Sequence, residues 1–312
     1  RQNNKEREFA YEVRKRVRAY FKNNNKSIYG NFNMYLKSVV ILSIYLVPFI
    51  MLLTRTLSPW TALILAVIMG IGEAGVGMSI MHDGVHHAYS SKKWVNDLAS
   101  STMFLLGSNI FNWKIQHNIK HHTFTNIYKY DPDISNLEII RLCEYIPLKK
   151  YHRYQHIYAF PLYGLMTFSR LFGEIGVLLD YNRKGITREQ NVNPTTQLVK
   201  LIAIKIIYFT SIIGLPLYFT TFSFWQILIG FIALHVTAGM IMSTVFQMAH
   251  VVEGTNQVLA DKEHKIKSDW LVHQLKTTSD FGRKNGLFSW YIGGLDFQIE
   301  HHIFQNICHV HY

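Results

Sequence analysis

Cysteine is nearly absent: Cys143 and Cys308 are the only two in 312 residues, and no Cys-x-x-Cys pair occurs. This excludes a disulfide framework and a thiolate metal site, so any bound metal must rest on imidazole nitrogen and oxygen. Charge is also scarce. Asp, Glu, Lys and Arg make up 17% of the chain, against about a quarter in ordinary globular proteins. Hydrophobic residues reach 49% and aromatics 14%, a balance that leans toward membrane. Internal repeats of domain-building length and low-complexity tracts are lacking. The N-terminus is polar for its first thirty residues, which argues against a cleavable signal sequence. The length suffices for a large core, and residues 1–312 read as a single domain.

Acidic residues are in the minority, which leaves a formal charge of +12. Spread over a soluble surface, such an excess would suggest nucleic-acid binding. Instead the cations crowd residues 1–37, including Arg14, Lys15, Arg16 and Arg18, just ahead of a long apolar run. That is how a cytoplasmic flank on a membrane helix looks, although a solvated amphipathic helix fits the same residues. No nucleic-acid partner is expected.

Four windows approach the roughly 20 apolar residues that a spanning helix needs: 34–54, 60–81, 198–220 and 222–249. They form two hairpins with very short outer turns. The remaining stretches, 1–33, 82–197 and 250–312, hold nearly all the Lys and Arg and read as cytosolic. The fold class expected is therefore all-α and membrane-integral, with four transmembrane helices under a cytosolic helical cap. Residues 98–111 are apolar but too short to span, and 158–179 contains Pro161, Arg170 and Glu174. Both read as helices at the interface or under the bundle, and 181–197 reads as a loop.

Half of the sixteen histidines fall in three short clusters: His82-Asp83-Gly84-Val85-His86-His87, His117-Asn118-Ile119-Lys120-His121-His122, and Gln298-Ile299-Glu300-His301-His302. Residues four apart share a helix face, so His82 pairs with His86 and His117 with His121, while His87 and His122 point about 100° around. Gln298 lies one turn before His301, placed to ligate, to hold a metal-bound water or to orient a neighbour. His250 follows the fourth apolar window as His82 follows the second, which places both at one membrane level. It is read as a further ligand, with Gln247 one turn earlier. So many imidazoles exceed one ion's capacity and indicate a dinuclear site. Iron suits a nitrogen-rich centre at a membrane edge, where dioxygen can be set against an unactivated C–H bond of a lipid. Glu73 lies about 13 Å below the His82 level by helix rise. It is either part of a substrate tunnel or metal support, or a hydrogen-bonded structural carboxyl. His235, deeper still, reads as structural. His152, His156, His264, His309 and His311 read as interface or surface residues, and Trp113, Trp270 and Trp290 as tunnel lining or, the commoner case, interfacial anchors.

HDGVHH, HNIKHH and QIEHH, in this order around two apolar hairpins, resemble the three histidine boxes of membrane fatty-acid desaturases. Gln298 opening the third box is like the front-end subgroup, which inserts a double bond between an existing one and the carboxyl end. The resemblance runs from about Trp60 to Tyr312. It includes Asp131-Pro132-Asp133, Trp270-x-x-His273-Gln274 and Gly293-Gly294-Leu295-Asp296-Phe297. It implies two iron ions held by His82, His86, His87, His117, His121, His122, His301 and His302, with His250 and Gln298 added. Glu73, Gln247, His273 and Asp296 are the supporting candidates. Asp296 and Gln305 stand where the family commonly has Asn and Pro. The substrate implied is a fatty acyl chain on CoA, on a carrier protein or in a phospholipid. Electrons would come from a separate donor such as ferredoxin or cytochrome b5 with a reductase, since no His-Pro-Gly-Gly haem motif is present. The implied location is a bacterial inner membrane or the endoplasmic reticulum, and the stop at Tyr312 suggests truncation. A lipid hydroxylase or sphingolipid desaturase remains the near alternative. A metal-transport protein is the distant one, because transporters place their ligands near the bilayer midplane.

Overall fold

The computed structural model describes residues 2–135 and 138–312. Arg1, Asn136 and Leu137, all within stretches read as cytosolic, lie outside the described residues. In chain order the helices are α1 (Gln2–Asn23), α2 (Phe32–Thr54), α3 (Pro59–Val85), α4 (Lys93–Ser101), α5 (110–124), α6 (Gln155–Tyr163), α7 (Met166–Arg183), α8 (Pro194–Phe219), α9 (Phe224–His250), α10 (Trp270–Thr277), α11 (Gly286–Tyr291) and α12 (Gln298–Ile303). Among the described residues there is no β-sheet, only an isolated bridge between Ile127 and Val258.

Helices α2, α3, α8 and α9 are long and apolar enough to cross a membrane. The 23 residues of α2 rise about 34 Å, enough for a hydrocarbon core of about 30 Å. Each of the four starts at a cap that its sequence supplies. The side chains of Asn31, Ser58, Asn193 and Ser223 accept from Met34, Thr61, Thr196 and Gln226 backbone N–H, with Pro59 and Pro194 in the first turn. Between the hairpin arms the chain turns within 55–58 and 220–223. Trp60, Tyr218 and Trp225 are exposed beside these turns, the placement expected of aromatics at a membrane–water boundary.

Central to the bundle is α3: 72% of its most apolar stretch is buried, against 22% for α8. Gly70 and Gly72 make this packing possible, because a Cβ there would come within 2.4 Å of Leu234 O and 2.7 Å of Tyr45 N. Outward-facing Val39, Val47, Ile206, Ile207, Ile229 and Ile232 remain exposed and form the apolar belt that lipid covers.

Helices α6 and α7 meet at a 76° bend, so 158–179 folds as two helices against the bundle. Glu174 of α7 and Lys205 of α8 explain the docking: their 2.8 Å ion pair is buried, and Lys205 also donates to Gly107 O. The stretch 181–197 is more ordered than a loop, since α7 runs to Arg183 and a short helix follows at Ile186–Glu189.

Two of three π-helical segments serve the histidine clusters, Val76–Met81 running into His82 and Lys114–His121 forming the middle of α5. The third, Thr210–Gly214, lies in α8. Such i→i+5 turns widen a helix and concentrate at functional sites.

Candidate metal centre

Four chain segments bring their histidines together at the cap-side ends of α3 and α9. His82, His86, His117 and His301 place one nitrogen each within 4.8 Å of one another, and His121, His250 and His302 do the same. His122 joins His301 and His302 in a third set, which links the other two. The π turn in α5 accounts for a departure from simple helical expectation. Residues five apart align there, so His122 Nε2 comes to 3.1 Å from His117 Nε2 instead of pointing around the helix. His82 Nε2 is 3.2 Å from His117 Nε2, and His301 Nε2 is 3.1 Å from His122 Nε2.

The second ring nitrogen of several of these histidines is tied outward. His121 Nδ1–H donates to Asp131 at 3.1 Å, His302 Nδ1–H to Gln274 Oε1 at 2.8 Å, and His250 Nδ1–H to Thr277 O at 3.4 Å. His301 Nδ1 pairs with the Tyr312 hydroxyl at 3.3 Å. Donation from Nδ1–H to the Asp131 carboxylate, the Gln274 Oε1 and the Thr277 carbonyl leaves the Nε2 lone pair inward, as metal-binding imidazoles require. Behind them lies a further layer. Thr125 Oγ1–H donates to Gln274 Oε1, His273 Nε2–H donates to Thr125 O, and Trp270 Nε1–H donates to His122 O.

Burial sets the charge state. It holds the pKa of His86, His117, His122, His301 and His302 well below the ordinary imidazole value, with neighbouring histidines adding to the effect. These rings are neutral donors at neutral pH. For His121 burial also disfavours the charged ring, but the carboxylates of Asp131 and Asp133 outweigh it and lift the pKa to about 9.

The donor set fits metal. Imidazole nitrogens 3.1–3.2 Å apart match neighbouring ligands on one ion with metal–nitrogen bonds of about 2.1 Å. His86 Nε2, His302 Nε2 and Gln298 Oε1 are buried without any hydrogen-bond partner, a costly arrangement unless an ion takes their lone pairs. Gln298 Nε2 lies 3.1 Å from His250 Nε2, so this side chain stands within the ring of histidines.

One expected ligand is not brought in. His87 is exposed and adopts φ 58°. It occupies the left-handed position that closes α3: its N–H bonds Gly84 O and the N–H of Ala88 bonds Asp83 O, the double bond pattern that ends many helices. The chain reverses there, and His87 is carried away from the cluster.

The supporting candidates divide. His273 holds the backbone that follows the second cluster, as above. Asp296 does not reach a histidine; its Oδ1 accepts from Ser289 Oγ–H, and it orders the 281–297 loop. Gln247 keeps Oε1 buried and unpaired. Glu73 is fully buried, neither oxygen has a hydrogen bond, and His235 Nδ1 is 3.6 Å away. His235 Nε2 lies 2.7 Å from the Tyr208 hydroxyl, while its Nδ1 is buried without a hydrogen-bond partner.

Other readings need correction. His309 is buried, its Nδ1–H donates to Asp83 at 2.8 Å, and Lys37 Nζ–H donates to its Nε2 at 2.7 Å. That chain ties the C-terminal residues to α2 and to the carboxylate beside His82. His152 is buried too, bonded to Glu138 O and Lys149 N. Nor is Trp113 an interfacial anchor, because its ring stacks on His117 with centroids 4.6 Å apart. Asp131, Gln274 and Tyr312 are the holding residues that periodicity did not single out. Asp131 and Gln274 stood only within the family-like motifs Asp131-Pro132-Asp133 and Trp270-x-x-His273-Gln274, and Tyr312 in none.

Comparison with known proteins follows from this geometry. Residues 58–312 match the family model described as fatty acid desaturase. The sn-1 linoleoyl-lipid 6-desaturase of Arthrospira platensis is 32% identical, over 97% of this chain and 82% of its own length. A protein of the same name from Synechocystis sp. is 31% identical, over 98% of this chain and 85% of its own. The acyl-lipid (8-3)-desaturase of Physcomitrium patens is 32% identical, over 98% of this chain and 64% of its own.

Proposed function

The chain belongs to the fatty acid desaturase family, and from that premise we propose that it inserts a double bond near the carboxyl end of a lipid-linked acyl chain, using two iron ions held by His82, His86, His117, His121, His122, His250, His301 and His302, with Gln298 beside them. The balanced reaction converts –CH2–CH2– with O2, two electrons and two protons into –CH=CH– and two waters. The convergence of buried imidazole nitrogens from four segments carries this reading. The front-end position is supported by the Gln298 that opens the third box and by the relatives' names.

Bound iron would supply the oxidising power that removes two hydrogens from adjacent methylenes. The protein's share is placement, since an acyl chain offers no polar handle at the reacting carbons. Asp131, Gln274, Thr277 and Tyr312 orient their imidazoles from outside the ring. Burial of the cluster excludes water and keeps most of its rings neutral. Basic residues on the cap side support a cytosol-facing site and a separate one-electron donor protein.

Expression of the chain in a host lacking the activity, followed by gas chromatography and mass spectrometry of its fatty acids, tests the reading. Wild type should add acyl species with a new double bond and contain about two irons per chain; His121→Ala should do neither. A hydroxy fatty acid as the main product would overturn desaturation.

A further inference from the structure

Arg170 is half-buried on α7 and bonds to none of the other described residues. Its guanidinium lies 4.7 Å from the centre of the Trp113 ring. The carboxylates nearest in charge are already engaged. Glu174 accepts from Lys205 and from Asn109 N–H, and Asp133 accepts from Gln116 Nε2–H. An arginine stacked on an indole beside a candidate metal site, with no acceptor among the described residues, keeps its donors open to a ligand.

The surrounding polar atoms tell the same story. Trp113 is 6% exposed, yet its Nε1–H has no hydrogen-bond partner, and Asn112 Oδ1 is likewise buried and unpaired. Buried polar atoms without partners are rare, and here two adjacent residues carry them. The far wall is apolar, with Phe246 of α9 6.4 Å from Trp113 and 6.5 Å from His117 between ring centres. The place thus combines hydrogen-bond donors and an apolar wall.

We propose that Arg170, with Trp113 beneath it, binds the carbonyl oxygen of the acyl ester and so counts carbons from the carboxyl end. This rests on the desaturase reading above. The separations of 4.7 and 4.6 Å bound the guanidinium to about 9 Å from the His117 ring. An extended chain advances about 1.3 Å per carbon for C–C bonds of about 1.5 Å, so carbon 6 lies about 6 Å from carbon 1. A charge-assisted hydrogen bond to the carbonyl adds about 3 Å. With the carbonyl on Arg170, carbons up to about position 6 therefore lie within reach of the His117 ring. The shared recognition chemistry is an acyl carbonyl, whether ester-linked in a glycerolipid or thioester-linked to CoA.

The test measures binding to the iron-loaded protein without an electron donor, so that nothing turns over. The probes are 1-linoleoyl lysophosphatidylcholine, its ether analogue lacking the carbonyl, and linoleoyl-CoA. Wild type should prefer ester to ether by about tenfold or more, the worth of a charge-assisted hydrogen bond. Arg170→Gln should reduce that preference to about twofold or less, and Arg170→Lys should restore part of it. A thioester that alone depends on Arg170 would assign the CoA carrier and keep the carbonyl anchor. An ester preference unchanged in Arg170→Gln would overturn the proposal. So would equal weakening of ester and ether, which would mean that Arg170 reads the headgroup phosphate. Should Arg170→Gln not fold, as judged by gel filtration and melting temperature, Arg170→Lys and Trp113→Phe carry the comparison. Product regiochemistry with chains of 16, 18 and 20 carbons separates the two levels of argument. Wild type counting from the methyl end would refute the front-end reading, whereas a wild-type register kept in Arg170→Gln would refute only the anchor.

Discussion

Asp131→Asn is the sharpest perturbation of the candidate centre, because it changes one atom and leaves shape intact. Both carboxylate oxygens are committed: Oδ2 accepts from Asn126 N–H at 2.9 Å, Oδ1 from Asp133 N–H at 3.0 Å, and His121 Nδ1–H lies 3.1 and 3.3 Å from the two. An amide offers one acceptor and one donor. Whichever way it turns, its NH2 faces a backbone N–H at about 3 Å with no water to intervene, since Asp131 is fully buried. Loss of the outward partner of a metal-binding imidazole lowers metal affinity about 10- to 100-fold, which is about 1.4–2.7 kcal/mol. The stranded donor should destabilise the metal-free protein by about 1–3 kcal/mol more. Competition for iron(II) against a chromophoric chelator reads the first quantity, and the melting temperature of chelated protein reads the second. Asp133→Asn is the control. Asp133 is 3.4 Å from His121 Nδ1 with its side chain 39% exposed, so metal retention should stay within about threefold of wild type. If Asp131→Asn holds iron as tightly as wild type and melts at the same temperature, the carboxylate does not orient His121 and the argument from tied Nδ1 atoms fails.

Adjacent histidines should behave oppositely: His86→Ala loses metal on elemental analysis, whereas His87→Ala keeps wild-type content, and equal losses would contradict the helix-end geometry. Lys205→Met leaves Glu174 buried without its cation and should cost about 3–5 kcal/mol. Lys205→Met with Glu174→Gln should recover much of that in denaturant unfolding, and a double variant no more stable than the single one would refute the pairing. Stability of the metal-free protein should peak just above pH 6.5. His86, His117, His122, His301 and His302 have folded pKa values below the unfolded value of about 6.5. The unfolded chain therefore takes up protons that the fold refuses, and stability falls as pH drops through 6.5. His121, raised to about 9, works the other way: its contribution is full below about 6.5 and lost as pH rises toward 9. Melting curves from pH 5.5 to 9 decide the matter, and a melting temperature that rises on acidification from pH 6.5 to 5.5 would refute it.

The spans and the three clusters were legible because each rests on a local rule. Twenty apolar residues cross a bilayer wherever they occur, and histidines cost too much to bury in groups without a ligand. His250 was reachable by the same means, since helix rise alone sets it level with His82. What periodicity could not reach was anything decided by a change of helix type or a chain reversal. His122 enters the ring because α5 widens into a π turn, and His87 leaves it because the chain reverses at the end of α3, yet both stand beside a histidine in similar local sequence. The holding residues were harder still. Gln274 and Tyr312 meet His302 and His301 across 28 and 11 residues, and no spacing rule links a glutamine or a tyrosine to a distant imidazole.

Trp113 shows how misreading follows from the same limit. A tryptophan near an apolar stretch is most often an interfacial anchor, and sequence alone had no reason to set that default aside. Folding holds α7 against the start of α5, where Asn109 N–H and Asn112 Nδ2–H donate to Glu174 and Lys205 of α8 pairs with its carboxylate, and this docking sets Arg170 and Trp113 together as one stacked unit beside His117. The ion pair therefore has a role beyond stability. It fixes the distance between the guanidinium and the histidines, which is the distance that a carboxyl-end count would use. Lys205→Met should accordingly blur the position of the new double bond as well as weaken the fold. If the destabilised variant keeps a single product position at a temperature where it remains folded, α7 is held in place by its apolar contacts and the pair contributes only stability.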